Sequence, residues 1–264
     1  MRAIILAAGT GLRLQQPEDR QTPKCLLRFG GMTLLERHLR MLRAAGVTQV
    51  VLALGFRHED VAAELERIDW QPRPEIVLNE QYTLGSVLTV HTAAEALTRG
   101  GDVLLMDADV LYDERIMSAL TAHDSTGRNA GGESEINRLL LDRDFEPGDE
   151  PVKLCINHGV PVELRKQVAP GVVYDSIGES VGFFRFREEA ARELAQRVAD
   201  YAASGRGALP HEEAVRDLLL AGRHVFDVAD VSGAPWIEID FPNDVIRATT
   251  EILPELQPIS GTAS

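Results

Sequence analysis

The sequence predicts an α/β fold: a mostly parallel, Rossmann-like sheet with helices on both faces and a small antiparallel extension. Three observations predict it. Short apolar runs of strand length alternate with amphipathic stretches of helical length from residue 3 to residue 106. The first run ends in a glycine-rich turn, where open sheets of this kind bind ligands. Beyond Asp109 the rhythm changes, and from residue 139 to residue 186 short apolar runs follow one another without helices between them.

Each element has its own signal. The first strand covers 3–6. A helix over 34–45 places Leu34, Leu35, His38, Leu39 and Leu42 at helical spacing and stops at Gly46. A strand over 50–54, a helix over 58–68, a strand over 76–78, a helix over 87–97 closed by Gly100-Gly101 and a strand over 103–106 complete a β-α-β-α-β-α-β series. Residues 113–122 read as a helix. Residues 123–137 are polar, carry Gly127, Gly131 and Gly132, and read as a loop. Strands over 139–142, 152–156, 160–164 and 181–186 make the extension, about 139–187, over the edge of the sheet. Helices over 188–201 and 210–220, strands over 225–228 and 236–239 and a helix over 242–253 follow. One domain therefore covers 1–253, and the Pro-, Ser- and Gly-rich residues 254–264 read as a flexible tail.

Composition narrows the function. A chain of 264 residues is long enough for one good core and cramped for two. Its net charge of -14 argues against nucleic acid, whose binding draws on Lys and Arg against phosphates. An anionic ligand must therefore be held by local positive groups. Cys25 and Cys155 form neither a disulfide framework nor a metal spacing, which points to a reducing, cytoplasmic setting. No stretch approaches the roughly 20 apolar residues that span a bilayer.

The turn Ala7-Ala8-Gly9-Thr10-Gly11-Leu12-Arg13 lets successive backbone N–H groups face one point, with Arg13 adding charge. It has no third glycine and no Gly-Lys-Ser/Thr, so it is neither a dinucleotide fingerprint nor a P-loop. A triphosphate fits such a nest, and further on Pro23-Lys24-Cys25-Leu26-Leu27 offers a lysine that can be aimed back at its phosphates. The strand over 103–106 runs into Asp107-Ala108-Asp109, whose carboxylates, two apart, face one side. Mg²⁺ takes one or two carboxylates plus phosphates and water; Asp109 is the first candidate ligand, and Asp107 stands behind it or faces the ribose. Glu238 and Asp240 form a second acidic pair, pointing outward while Ile237 and Ile239 face the core.

Leu-Ala-Ala-Gly-Thr-Gly-Leu-Arg-Leu from Leu6, with Pro-Lys-Cys-Leu-Leu and Gly-Gly-Met-Thr-Leu-Leu-Glu-Arg, resembles the N-terminal signature of the sugar-phosphate and alcohol-phosphate nucleotidyltransferases, of GT-A-like fold. Leu12 departs from it, standing where Ser or Thr is more usual. The resemblance implies that Leu6, Ala8, Gly9, Thr10, Gly11 and Arg13 cradle a nucleoside triphosphate and that Lys24 contacts the reacting phosphate. It also implies a metal on Asp109, Glu238 and Asp240. Glu-Ile-Asp before a helix is similar to the phosphocholine and aminoalkylphosphonate cytidylyltransferases, which implies CTP as donor and a small phosphoalcohol or phosphonate as acceptor. Gly55, Asn79 and Ser86 are then candidates for the base, and Glu179 and Lys153 for the acceptor; each also suits turn or strand chemistry.

The reaction so implied is an in-line displacement at the α-phosphorus, without general base or enzyme nucleophile. A hexose 1-phosphate or inositol 1-phosphate acceptor is the main alternative. A glycosyltransferase would share the Asp-x-Asp pair but not need the glycine turn and Pro-Lys, and a nucleotide-binding regulator without catalysis would have lost Lys24 or a metal carboxylate.

Overall fold

The computed structural model describes residues 1–14, 22–122 and 136–260. Strand β1 (Arg2–Ala7) is apolar on both faces and lies at the middle of the sheet. After it come a small ribbon of β2 (Arg28–Phe29) and β3 (Met32–Thr33), then α1 (Leu34–Ala44), β4 (Gln49–Leu54), α2 (His58–Arg67) and β5 (Glu75–Leu78). Thr33 caps α1 by accepting the Glu36 N–H at 3.1 Å. The expected helix over 87–97 is two helices, α3 (Ser86–Thr92) and α4 (Ala94–Thr98). The break follows Thr92, whose hydroxyl donates back to the Leu88 carbonyl at 2.9 Å, a bond that bends helices.

β6 (Val103–Asp107) pairs with β1 in parallel, as does β4, and β5 pairs with β4. Next are β7 (Val110–Tyr112), α5 (Glu114–Thr121), β8 (Asn137–Asp142), β9 (Lys153–Asn157), β10 (Val160–Arg165) and the long β11 (Ser176–Phe186). The expected loop over 123–137 lies outside the described residues up to 135; Asn137 opens β8. The antiparallel part does not lie over the sheet's edge. β11 pairs directly with β6, Phe183 opposite Met106, so the antiparallel strands prolong the same sheet in the order β10-β9-β11-β6-β1-β4-β5. Register slips between Ser180 and Phe184 of β11 against β8, and Gly182 sits at that slip.

α6 (Glu188–Ala203), α7 (His211–Leu220), β12 (Phe226–Asp230), β13 (Trp236–Glu238) and α8 (Pro242–Arg247) complete the chain. β12 joins β8 in parallel. The alternation along β1 divides the core: Ile4 and Leu6 pack with α3, α6 and α7, while Ala3, Ile5 and Ala7 pack with α1, α2 and α5. A third cluster, including Phe29, Leu111, Ile237 and Ile239, seats the antiparallel ribbon of β7 and β13. Where the sequence predicts a flexible tail, residues 254–260 return to α5: the Gln257 N–H donates to Asp113 at 2.9 Å and Ile259 is buried. Among the described residues no helix is long and apolar enough to cross a membrane.

Candidate active site

The carboxyl end of β1 opens a cleft of about 310 Å³ lined by Gly9, Gly11, Arg13, Lys24, Asp109 and Asp240. The turn is fixed from both sides. The Ala8 carbonyl accepts the Phe56 N–H at 3.1 Å, and the Leu14 N–H closes onto the Gly11 carbonyl at 3.0 Å. Gly11 has φ +62°, and a Cβ there would stand 3.1 Å from Lys24 Cγ. Glycine is therefore needed both for the left-handed turn and for the passage of the lysine stem.

Lys24 sits on a short turn behind Pro23 and is the centre of the charge arrangement. Its Nζ donates to Asp109 Oδ2 at 2.7 Å and to Asp240 Oδ1 at 2.6 Å. Burial alone would lower its pKa, but the two carboxylates outweigh that and hold the ammonium charged well above the usual lysine range. Asp240 goes the other way: burial opposes its charge, yet Lys24, Arg13 and Lys166 keep its carboxyl below the usual range. Glu238 is pushed well up by burial and then by Asp109, Asp240 and Asp107. One oxygen from each of Asp109, Glu238 and Asp240 falls within 4.8 Å of the others, a hard-oxygen set suited to a divalent cation.

Residues so far apart in sequence meet through the ribbon. β13 runs antiparallel to β7 with Glu238 opposite Val110, and the Ile239 N–H donates to the Asp109 carbonyl at 2.9 Å. Ile237 and Ile239 are buried, which turns Glu238 and Asp240 to the opposite face. The Asp244 carboxylate accepts the N–H groups of Asp240 at 2.9 Å and Phe241 at 2.7 Å, so the start of α8 fixes the second acidic element.

Arg13 reaches into the cleft, 3.5 Å from Asp240 and 3.0 Å from Glu150, with its guanidinium over the Phe241 ring. Glu150 also takes Lys166 at 2.9 Å, and these two cations hold its carboxyl below the usual range. Lys166, which drew no notice in the sequence, is thus the lysine of the extension that shares Glu150 with Arg13. Lys153 is occupied elsewhere: its Nζ donates to the carbonyls of Gly148, Pro151 and Lys166. Glu179 lines a neighbouring cleft of about 380 Å³ with Trp236, Glu238, Asp240 and Phe241. Burial first, then Asp142, pushes its carboxyl up to about 7.

The base candidates lie at the same edge, with side chains engaged inside the fold. Asn79 is buried, donates to Thr89 at 3.0 Å and accepts the Gln81 N–H at 2.9 Å. Ser86 accepts the His211 N–H at 2.8 Å. A Cβ on Gly55 would meet Tyr82 and the Ala8 carbonyl, so that glycine secures the close approach of two strand ends. Leu6 and Thr10 line the cleft; Leu12 is exposed. Asp107 is pushed well up by burial and by Glu212 before Asp109.

The family model described as a MobA-like NTP transferase domain matches residues 3–135, which carry the glycine turn, Lys24 and Asp109. The chain belongs to that family. Its fold is that of nucleotidyltransferases: an inositol-1-phosphate CTP transferase of T. maritima superposes with a TM-score of 0.73 at 20% identity, covering 100% of this chain and 98% of that one. Among curated relatives, the CMP-5'-(3-aminopropyl)phosphonate synthase of Streptomyces rubellomurinus is 29% identical across 96% of this chain, and the bifunctional IPC transferase and DIPP synthase of Rubrobacter xylanophilus is 30% identical across 95% of it. This MobA-like chain spans 39% of the first relative's length and 51% of the second's.

Proposed function

We propose that this chain transfers CMP from CTP to a small acceptor bearing a phosphate or phosphonate, releasing pyrophosphate. The observation that carries the reading is Lys24, held between Asp109 and Asp240 at the mouth of the glycine turn. Relatives named for CMP and CTP chemistry support cytidine as the nucleoside. Mg²⁺, held by Asp109, Glu238 and Asp240, would supply neutralising charge to the phosphate oxygens.

The remaining work falls to the chain itself. The amides of residues 9–11 and Arg13 hold the triphosphate and the departing pyrophosphate. Lys24 turns its ammonium to the reacting phosphate once its carboxylates are otherwise neutralised. Glu150 now sits between Arg13 and Lys166, the place an anionic substrate would take, so Lys166 rather than Lys153 meets the acceptor's phosphate group. An acceptor phosphate is ionised near neutral pH, so positioning and charge suffice without a general base.

A second reading, an inositol 1-phosphate acceptor, takes its support from the name of the T. maritima inositol-1-phosphate CTP transferase, whose fold this chain shares. Both are tested by incubating the protein with Mg²⁺, each of the four NTPs and a panel of aminoalkyl, hydroxyalkyl, inositol and hexose phosphates or phosphonates. Pyrophosphate is expected with CTP and one acceptor class. Silence with every pair would sink the transferase reading, and a preference for another NTP would remove cytidine from it.

A further inference from the structure

His38 stands on the face that α1 turns to the sheet, and the transfer chemistry leaves it unused. It is fully buried against the rings of Tyr112 and Phe183, at centroid distances of 5.3 and 6.0 Å. Both rings belong to the buried apolar cluster that also holds Cys25, Leu35 and Leu39. An imidazole in such surroundings needs partners for its two nitrogens. Nε2 lies 3.2 Å from the Ala108 carbonyl oxygen and Nδ1 lies 3.3 Å from the Tyr112 hydroxyl. A carbonyl oxygen can only accept, so the ring proton is on Nε2. Burial pushes the pKa of His38 down to about 4, against the pull of that carbonyl, so the ring is neutral. Nδ1 then keeps its lone pair, and the Tyr112 hydroxyl donates to it.

The carbonyl that His38 holds occupies a particular place. Ala108 is buried outside both strands, between the end of β6 at Asp107 and the start of β7 at Val110. A peptide unit is planar, so whatever holds the Ala108 oxygen also fixes the Cα of Asp109. The next unit is held by the ribbon, since the Ile239 N–H donates to the Asp109 carbonyl at 2.9 Å. With the planes on both sides of its Cα pinned, Asp109 has a set backbone conformation and its Cβ a set direction. The same helix also grips the lysine. The Leu34 N–H, at the first residue of α1, donates to the Leu27 carbonyl at 3.0 Å, and the Leu27 N–H closes onto the Lys24 carbonyl at 3.0 Å. One helical turn further along, His38 reaches Ala108. Lys24 Nζ and Asp109 Oδ2, 2.7 Å apart, are thus both referred to α1.

We propose that His38 is a positioning residue for the transfer reaction: its Nε2–H holds the Ala108 carbonyl, and through that peptide unit sets the Asp109 carboxylate against Lys24 and a divalent cation. This rests on the nucleotidyl-transfer reading above. His38 does not line the cleft, so it acts through Asp109 and not on the phosphates. The Tyr112 hydroxyl has its own part, keeping the ring turned so that Nε2 and not Nδ1 faces the carbonyl. An apolar side chain of similar volume would fill the space and leave the Ala108 oxygen buried without a donor, which favours rotation of the peptide unit. A shift of about 1 Å in a reacting or charge-bearing group is enough to lower turnover by about 100-fold.

His38→Gln, His38→Asn and His38→Leu test this, each assayed for pyrophosphate release with CTP, Mg²⁺ and the acceptor the wild type uses, titrated with Mn²⁺ by paramagnetic resonance and unfolded in urea. The amide nitrogen of Gln can stand where Nε2 does, that of Asn reaches only as far as Nδ1, and Leu brings no donor. His38→Gln is expected to keep kcat and Mn²⁺ affinity within about threefold of wild type, while the Asn and Leu variants lose about 10–100-fold in both, the range for removing a group that orients a metal-binding carboxylate. The KM for CTP is expected to change by less than about threefold, because the glycine turn is untouched. Tyr112→Phe is expected to fall between the Gln and Leu variants. A Gln variant no better than Leu in kcat and Mn²⁺ affinity overturns the positioning role, as does a loss of activity that merely follows the urea midpoints. If His38→Leu does not fold, Gln against Asn makes the same comparison. If the wild type releases no pyrophosphate with any acceptor, the transfer reading falls and Mn²⁺ decides alone: binding to His38→Gln no tighter than to Leu or Asn overturns the hold on Asp109, and binding tighter by about tenfold supports it.

Discussion

At Lys24 one ammonium answers two carboxylates, at 2.7 and 2.6 Å, with Glu238 close behind. Lys24→Ala is expected to lower kcat by about 10²–10³-fold, the loss typical of removing one group that stabilises transition-state charge. It also leaves the acidic residues unanswered, so its urea midpoint is expected to rise with added Mg²⁺ more than the wild type's does. A kcat within about threefold of wild type would remove Lys24 from the chemistry. Glu179 gives a test in pH. Its carboxyl, raised from 4.5 to about 7 by burial and Asp142, keeps a proton in the native state that the unfolded chain has already lost. The native state thus binds more protons between those values, and stability falls as pH climbs through that window, by about 1–3 kcal/mol after allowing for solvent. Urea unfolding at pH 5 and pH 7.5 is expected to show the fall in wild type and a smaller one in Glu179→Gln; identical profiles would exclude this linkage. Arg13, Lys24 and Asp109 announce themselves through local context, a glycine turn, a proline and a strand end. Lys166 and His211 carry no such marker, because what they face is supplied by residues far away in the chain.

Among the elements, the ribbon of β7 and β13 decides whether a site exists at all. It delivers Glu238 and Asp240 to Asp109 through three paired positions and the Ile239 N–H. Ile239→Pro removes that donor and is expected to cost about 3 kcal/mol while weakening divalent-cation binding, measured by urea unfolding and Mn²⁺ titration. Unchanged Mn²⁺ affinity would show that Asp109 and Asp240 come together without the ribbon. The alternation Ile237, Glu238, Ile239, Asp240 already states which side chains share a face. It does not state the partner strand, since β7 is three residues long and follows a strand of a different sheet. β11 is a similar case: its apolar run is legible, but its direct pairing with β6 depends on direction of approach, which no periodicity records.

For the whole molecule, the net charge is -14, yet Arg13, Lys24 and Lys166 gather around Asp240 and Glu150. The chain's end closes the other side of the fold. Deleting residues 254–264 exposes the ground under Ile259 and strips Asp113 of the Gln257 N–H, so a loss of about 2–4 kcal/mol is expected in urea unfolding. No measurable loss would return residues 254–260 to the status of a tail. The sequence by itself determined the parallel β-α half, the glycine turn and the acidic strand ends, because strand and helix periodicity, turn chemistry and side-chain alternation are local properties of the chain. Only the tertiary structure decided that Lys24 stands between Asp109 and Asp240, that Lys166 pairs with Glu150 while Lys153 is held by backbone carbonyls, and that His211 lies beside Asp107 and Glu212. Those contacts join residues a hundred or more positions apart in several cases, and their geometry is set by how sheet, ribbon and helix pack, which no local pattern encodes.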